Sequence, residues 1–240
     1  VDEGPTIANH GWSHDVGMTR DRGSIDTLED YLVAELELTQ IRVDMAMMAR
    51  DAADFAQMDA RVFESLRRWD GRERELEAMP ALRERHRALL EERGYSPEAR
   101  PLAMRWMRPP GGIPYMGRRT NEEREAFARV VDRLGLEVVM WSGGTGDSSP
   151  HLEPEQRMDP ARIAKSARKA ARRGGIYVAH DRITTPALRS MIKALARSDA
   201  KLVSLAQMQQ AKQQARGWCS PMPAVTPDQP MAVAVATAPR

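Results

Sequence analysis

The chain has 240 residues, with 36 basic and 34 acidic side chains and a formal net charge of +2. It is 42% hydrophobic and 29% charged, which excludes wholesale disorder and a collagen-like fibre. A charge this near zero gives no global pull toward nucleic acid or an anionic membrane.

Cys219 is the single cysteine, so neither an intrachain disulfide nor a cysteine zinc cluster can form. No apolar run approaches the roughly 18 residues a membrane helix needs. The sequence opens on Val1, with no charged-then-apolar leader ahead of its first motif. It reads either as a chain from which a leader and more were removed, or as a fragment.

Residues 1–23 are irregular. From Ser24 a helix is expected, with hydroxyl and carboxylate groups to cap it and Leu28, Leu32, Leu36 and Val43 at helical spacing. A second charged helix is expected over 72–93, with Pro80 marking a break or an N-terminal turn. From Pro101 the pattern alternates between strand and helix. Strands are expected at 103–107, 136–141, 176–179 and 200–204. Helices are expected at 121–134, 159–173, 185–196 and 205–215. Such alternation predicts crossover units and a parallel sheet. The Pro- and Ala-rich stretch 217–240 is expected to be a disordered tail.

In a parallel sheet, functional groups collect at the C-terminal strand ends. Three polar clusters follow expected strands: RPPGG from Arg108, the 142–147 loop ending at Asp147, and His180 with Asp181. Ahead of them stands NHGWSH, residues 9–14. Its histidines, His10 and His14, have the i, i+4 spacing that brings two imidazoles on one face of a helical turn to one metal ion. They could equally be surface or capping residues; Asn9 and Ser13 could orient the rings. Arg108 could clamp a carboxylate, with Gly111 and Gly112 allowing close backbone approach, or simply end a strand. Asp147 could be a turn former, and His180 a general acid or a strand-end histidine. The basic residues Arg162, Lys165, Arg168, Lys169 and Arg172 read as a solvated helix face rather than an anionic-polymer patch.

Together these residues resemble the polysaccharide deacetylase family, also called the NodB-homology domain or carbohydrate esterase family 4. GPTIANHGWSH (4–14) is similar to its second motif, MRPPGG (107–112) to its third, WSGGTGD (141–147) to its fourth and IYVAHD (176–181) to its fifth. The resemblance implies an α/β fold: an incomplete, distorted (β/α) barrel lacking its first strand, spanning 1–216, with a helical insertion at 24–100. It implies His10 and His14 as ligands of a divalent metal ion, zinc being expected. Arg108 would orient the catalytic base, Asp147 would tune His180, and His180 would be the general acid. The backbone N–H of Gly111 would serve the oxyanion. Val178, Trp141 and Pro109 would line the substrate pocket.

The family's first motif, an Asp-Asp pair that supplies the base and a third metal ligand, has no counterpart here and is expected upstream of Val1. Weak metal binding and little turnover are therefore expected of the chain as given. Gly144 and Ser148 stand where the family usually has aspartate and tryptophan. The implied activity is hydrolysis of acetyl groups from an N-acetylated glycan, outside the cell or in the periplasm by family habit, with a cytoplasmic location left open by this sequence. Two other readings stay open: a non-catalytic glycan-binding or scaffold protein on the same fold, and a helical interaction protein that uses the basic helix.

Overall fold

The computed structural model describes residues 6–19, 24–64, 66, 70–149, 151–180 and 182–216. The expected tail at 217–240, Asp181 and Cys219 lie outside the described residues. The fold is mixed α/β, with small parallel sheets and several helices; no barrel closure is evident among the described residues. The chain divides into two compact units, Ile7–Met140 and the described residues from 141 onward. Among the described residues no helix is long and apolar enough to cross a membrane.

The first unit is organised around helix α1, Ile25–Met48. Ser24 caps it, accepting the Thr27 N–H at 3.2 Å. Helix α2 spans Ala52–Val62 and α3 spans Arg72–Glu92. One side of α1, with Leu38, Ile41 and Met45, packs on Met58 and Val62 of α2 and Leu82 and Leu89 of α3. Another side, with Leu28, Leu32 and Leu36, packs against Met107, Phe127 and Val130. The residues at 24–100 therefore share a core with the rest of this unit. Pro80 neither breaks nor starts α3: it sits exposed inside the helix, between buried Met79 and buried Leu82, whose packing holds both flanking turns.

Strand β1 is Trp106–Met107, α4 is Asn121–Arg133 and β2 is Glu137–Val138. Thr120 and Glu123 close a reciprocal capping box at the start of α4. β1 and β2 pair in parallel, Trp106 opposite Glu137. Asn9 adds a parallel bridge on Met107. β1 ends at Met107, as the sequence pattern predicts, but begins three residues later; past Arg108, Pro109 and Pro110 carry no N–H to continue the ladder.

In the second unit, strand β3 is Gly143–Gly144, α5 is Pro154–Arg157 and α6 is Pro160–Arg173. Strand β4 is Tyr177–Val178, and α7 and α8 span Thr185–Ala196 and Leu205–Arg216. β3 and β4 pair in parallel, and α6 packs on β3 and α7. The strand expected at 200–204 is not formed. Leu202 and Val203 are exposed and take part in neither parallel pair, and a strand needs such a partner.

Candidate functional site

The chemistry-bearing residues form two groups, one in each unit. In the first, the segment 9–14 is a loop that opens on a β-bridge at Asn9 and bends at Trp12 and Ser13, rather than a helical turn. Its residues divide by role. Asn9, Trp12 and Ser13 are buried and anchor it. Asn9 receives β1 through its backbone: its N–H donates to the Trp106 carbonyl at 2.8 Å, and the Arg108 N–H donates to its carbonyl at 2.9 Å. Its side-chain amide donates to the Leu36 carbonyl on α1 at 2.8 Å, so it braces the loop rather than the histidine rings. Trp12 stacks on Phe63 at 4.9 Å between centroids. The Ser13 N–H donates to the buried Glu35 carboxylate at 3.0 Å. Glu35, which braces this loop, is a residue that the sequence pattern did not single out; its one signal is a carboxylate inside the apolar stripe Leu32–Leu36.

His10 and His14 are left facing outward, His10 half-buried and His14 exposed. Their rings meet edge to face, with centroids 4.9 Å apart. The Nδ1–H of His10 donates to the Arg108 carbonyl. That bond selects the tautomer whose lone pair lies on Nε2, the arrangement a metal-binding histidine adopts. With metal–nitrogen bonds of about 2.0–2.1 Å, rings this close can share one ion. His14 holds φ at 56°, unusual for a side-chain-bearing residue. Among the described residues no third His, Cys, Asp or Glu completes a metal-holding group with them. The two imidazoles could supply two of the ligands of a divalent ion.

Arg108 lies just beyond β1 at the same end of the sheet. It is half-buried, and burial pulls its pKa down from the ordinary value. Its guanidinium makes no ion pair or hydrogen bond among the described residues. A partly desolvated cation of this kind suits a carboxylate or an oxyanion. Buried Pro109 opens a tight turn closed by the Gly112 N–H on the Pro109 carbonyl at 3.0 Å. Gly111 sits exposed in this turn at φ 60°.

The second group lies at the ends of β3 and β4. Their parallel pairing, Gly144 opposite Val178, carries Asp147 and His180 to one side. Asp147 is buried and grips His180 at two points: its carboxylate accepts the backbone N–H at 3.0 Å and lies 3.0 Å from ring Nδ1. The Thr145 hydroxyl donates to the same carboxylate. Burial alone would raise the Asp147 pKa; the Thr145 hydroxyl, the His180 ring and the His180 N–H outweigh it and hold the carboxyl below its ordinary value. Bound at Nδ1, His180 turns Nε2 outward, where the Ser148 hydroxyl lies 3.5 Å away.

Ser148 and Thr145 join the site through structure alone. Trp141 is half-buried, and next to it the Ser142 N–H donates to the Ile176 carbonyl at 2.9 Å. Val178 presses so close to β3 that a Cβ at Gly144 would stand 2.7 Å from its Cγ1. Arg162 departs from the solvated face read from the sequence. Its guanidinium donates to the Thr145, Gln156 and Arg157 carbonyls, each at 2.6 Å, and pins the loop that carries Asp147. Lys165, Arg168, Lys169 and Arg172 are exposed or only part-buried and take no comparable role.

Comparison with family models, with curated proteins and with solved structures finds no match to this chain.

Proposed function

We propose that the chain belongs to a metal-dependent deacetylase that removes acetyl groups from N-acetylated sugars, on an incomplete (β/α) barrel of the polysaccharide deacetylase type. The two-point grip of Asp147 on His180 carries the reading. A buried carboxylate on Nδ1 orients the ring and leaves Nε2 facing outward, so that an imidazolium form would present its Nε2–H as a general acid does. The outward histidine pair and the half-buried Arg108 guanidinium support it from the other unit.

His10 and His14 would hold a divalent ion, zinc in the first instance. When bound, such an ion supplies Lewis acidity to an acetyl carbonyl and to a water. Arg108 holds and orients an anionic group beside that water. The Gly111 N–H donates to the developing oxyanion. A base outside these residues would take one proton from the water as its oxygen bonds to the carbonyl carbon, and a proton held on His180 Nε2 would pass to the amine as the C–N bond breaks. Acetate and the free amino sugar leave. No described residue is assigned the base.

Acetate release from N-acetylated chito-oligosaccharides by the protein at its full natural length tests the proposal. His180→Ala is expected to lower release by about 100-fold or more, the usual share of a general acid. Equal release by the variant would remove His180 from the reaction. A non-catalytic glycan-binding role is the second reading; it is favoured by the histidine pair having no third ligand among the described residues. It predicts glycan binding with no acetate released.

A further inference from the structure

The first unit contains a cavity that the proposed chemistry does not use. It measures about 170 Å³ and lies between α1, α3 and the segment that leads out of α3. At roughly 30 Å³ per water it has room for about five waters, or for a small polar group with a few carbon atoms. Its charged lining comes from Glu37 on α1, from Arg83, His86 and Arg87 on α3, and from Arg100 beyond it. Arg83 and Arg87 stand four residues apart on α3, a spacing that puts them on one helical face. His86, three residues after Arg83, shares that side.

The cations are held differently. Arg83 is locked by two hydrogen bonds to one Glu37 oxygen, at 2.8 and 2.6 Å. Arg100 donates to the Pro97 carbonyl at 3.0 Å and reaches to 3.7 Å from the buried Asp44. The same Asp44 oxygen lies 3.2 Å from His86 Nε2. Arg87 is exposed and makes no ion pair or hydrogen bond among the described residues. Three guanidiniums thus face two carboxylates, Glu37 and Asp44, and the surplus positive charge is carried by Arg87. Arg100 is already positioned by protein contacts, which lowers the cost of ordering it around a ligand, whereas Arg83 is held by a carboxylate that competes with one. Ile41 and Leu90 add apolar wall beside them.

We propose that this cavity binds a small phosphate-bearing molecule, the phosphate held by Arg87 with Arg83 and Arg100, and a short organic group against Ile41 and Leu90. Planar, forked guanidiniums match the oxygens of a phosphate, and several of them converging favour its second negative charge over the single charge of a carboxylate. The site is independent of the deacetylase reading and uses none of its residues.

Calorimetric titration of the chain with inorganic phosphate at low ionic strength, with acetate as comparison, tests it. One-site saturable binding of phosphate, with acetate much weaker, is expected. Arg87→Gln should weaken binding about tenfold, equivalent to about 1.4 kcal/mol, with an unchanged melting temperature. Glu37→Gln removes the competing carboxylate from Arg83 and should tighten binding, a gain that misfolding cannot produce. The proposal is overturned by no saturable phosphate binding up to about 20 mM, by acetate binding as tightly as phosphate, or by affinities that neither substitution changes.

Discussion

His14 is held at φ 56°, a left-handed conformation that costs a side-chain-bearing residue on the order of 1–3 kcal/mol. Its neighbours sustain that cost. Trp12 is stacked on Phe63 and Ser13 is bound to Glu35, so the backbone leading into it has little freedom. In the other unit the decisive residue is Asp147. Its folded pKa lies below the ordinary value, so its ionised form stabilises the fold above about pH 4, and that contribution is lost as pH falls through the lowered pKa. Asp147→Asn is therefore expected to cost about 1–3 kcal/mol at pH 7 and progressively less toward pH 2. Urea unfolding at the two pH values checks this; an equal deficit at both would contradict it. The residue scale also explains Gly144. A Cβ there would meet Val178 Cγ1 at 2.7 Å and the Val178 carbonyl oxygen at 3.0 Å. Gly144→Ala should destabilise the second unit by about 1–3 kcal/mol, measured by thermal unfolding. The sequence placed Asp147 and His180 after apolar strand patterns, and their partnership was implied by the family resemblance. Glu35 was not legible, because its partner Ser13 lies 22 residues away and no local pattern links them.

Among the elements, α1 does the most to place the candidate site. It lends Leu36 and Glu35 to the histidine loop and apolar faces to two packing clusters. Its contact with α3 includes two buried carboxyls, Glu35 and Glu75. Burial first, then the neighbouring Glu35 carboxylate, with Asp15 and Asp70 adding to it, push Glu75 up to about 8 from an ordinary 4.5. The folded chain thus keeps a proton that the unfolded chain gives up. The stability this contributes is complete below about pH 4.5 and is lost as pH rises through about 8. Glu75→Gln, which stays neutral, should be more stable than the parent at pH 9, and its stability should vary less from pH 5 to pH 9. Denaturant midpoints at the two pH values measure this; a variant less stable than the parent at pH 9 would refute it. The limits of α6 and the start of α1 were readable from sequence because caps are local chemistry: Ser24, Asp159 ahead of Pro160, and Gly174 all act within a turn. Strand limits were read poorly because a ladder depends on a distant edge, and 200–204 has none.

For the whole molecule, the mixed α/β character was legible in the alternation of apolar runs and amphipathic helices. Barrel closure was not, because it depends on which strands pair, and the described residues hold two separate parallel pairs. The strand-end rule still applies within each. β1 and the Asn9 bridge set Arg108 beside His10, and β3 with β4 set Asp147 beside His180. The sequence named His10, His14, Arg108, Asp147 and His180 but not Glu35 or Thr145, and the loop geometry around His10 and His14 came from tertiary anchors. The central claim is metal-dependent removal of acetyl groups, and it is tested most directly by acetate release from N-acetylated chito-oligosaccharides before and after metal is stripped from the protein at its full natural length. The account predicts release that disappears on stripping and returns when zinc is added back. Release that survives stripping would contradict it, as would glycan binding without release in the zinc-loaded protein.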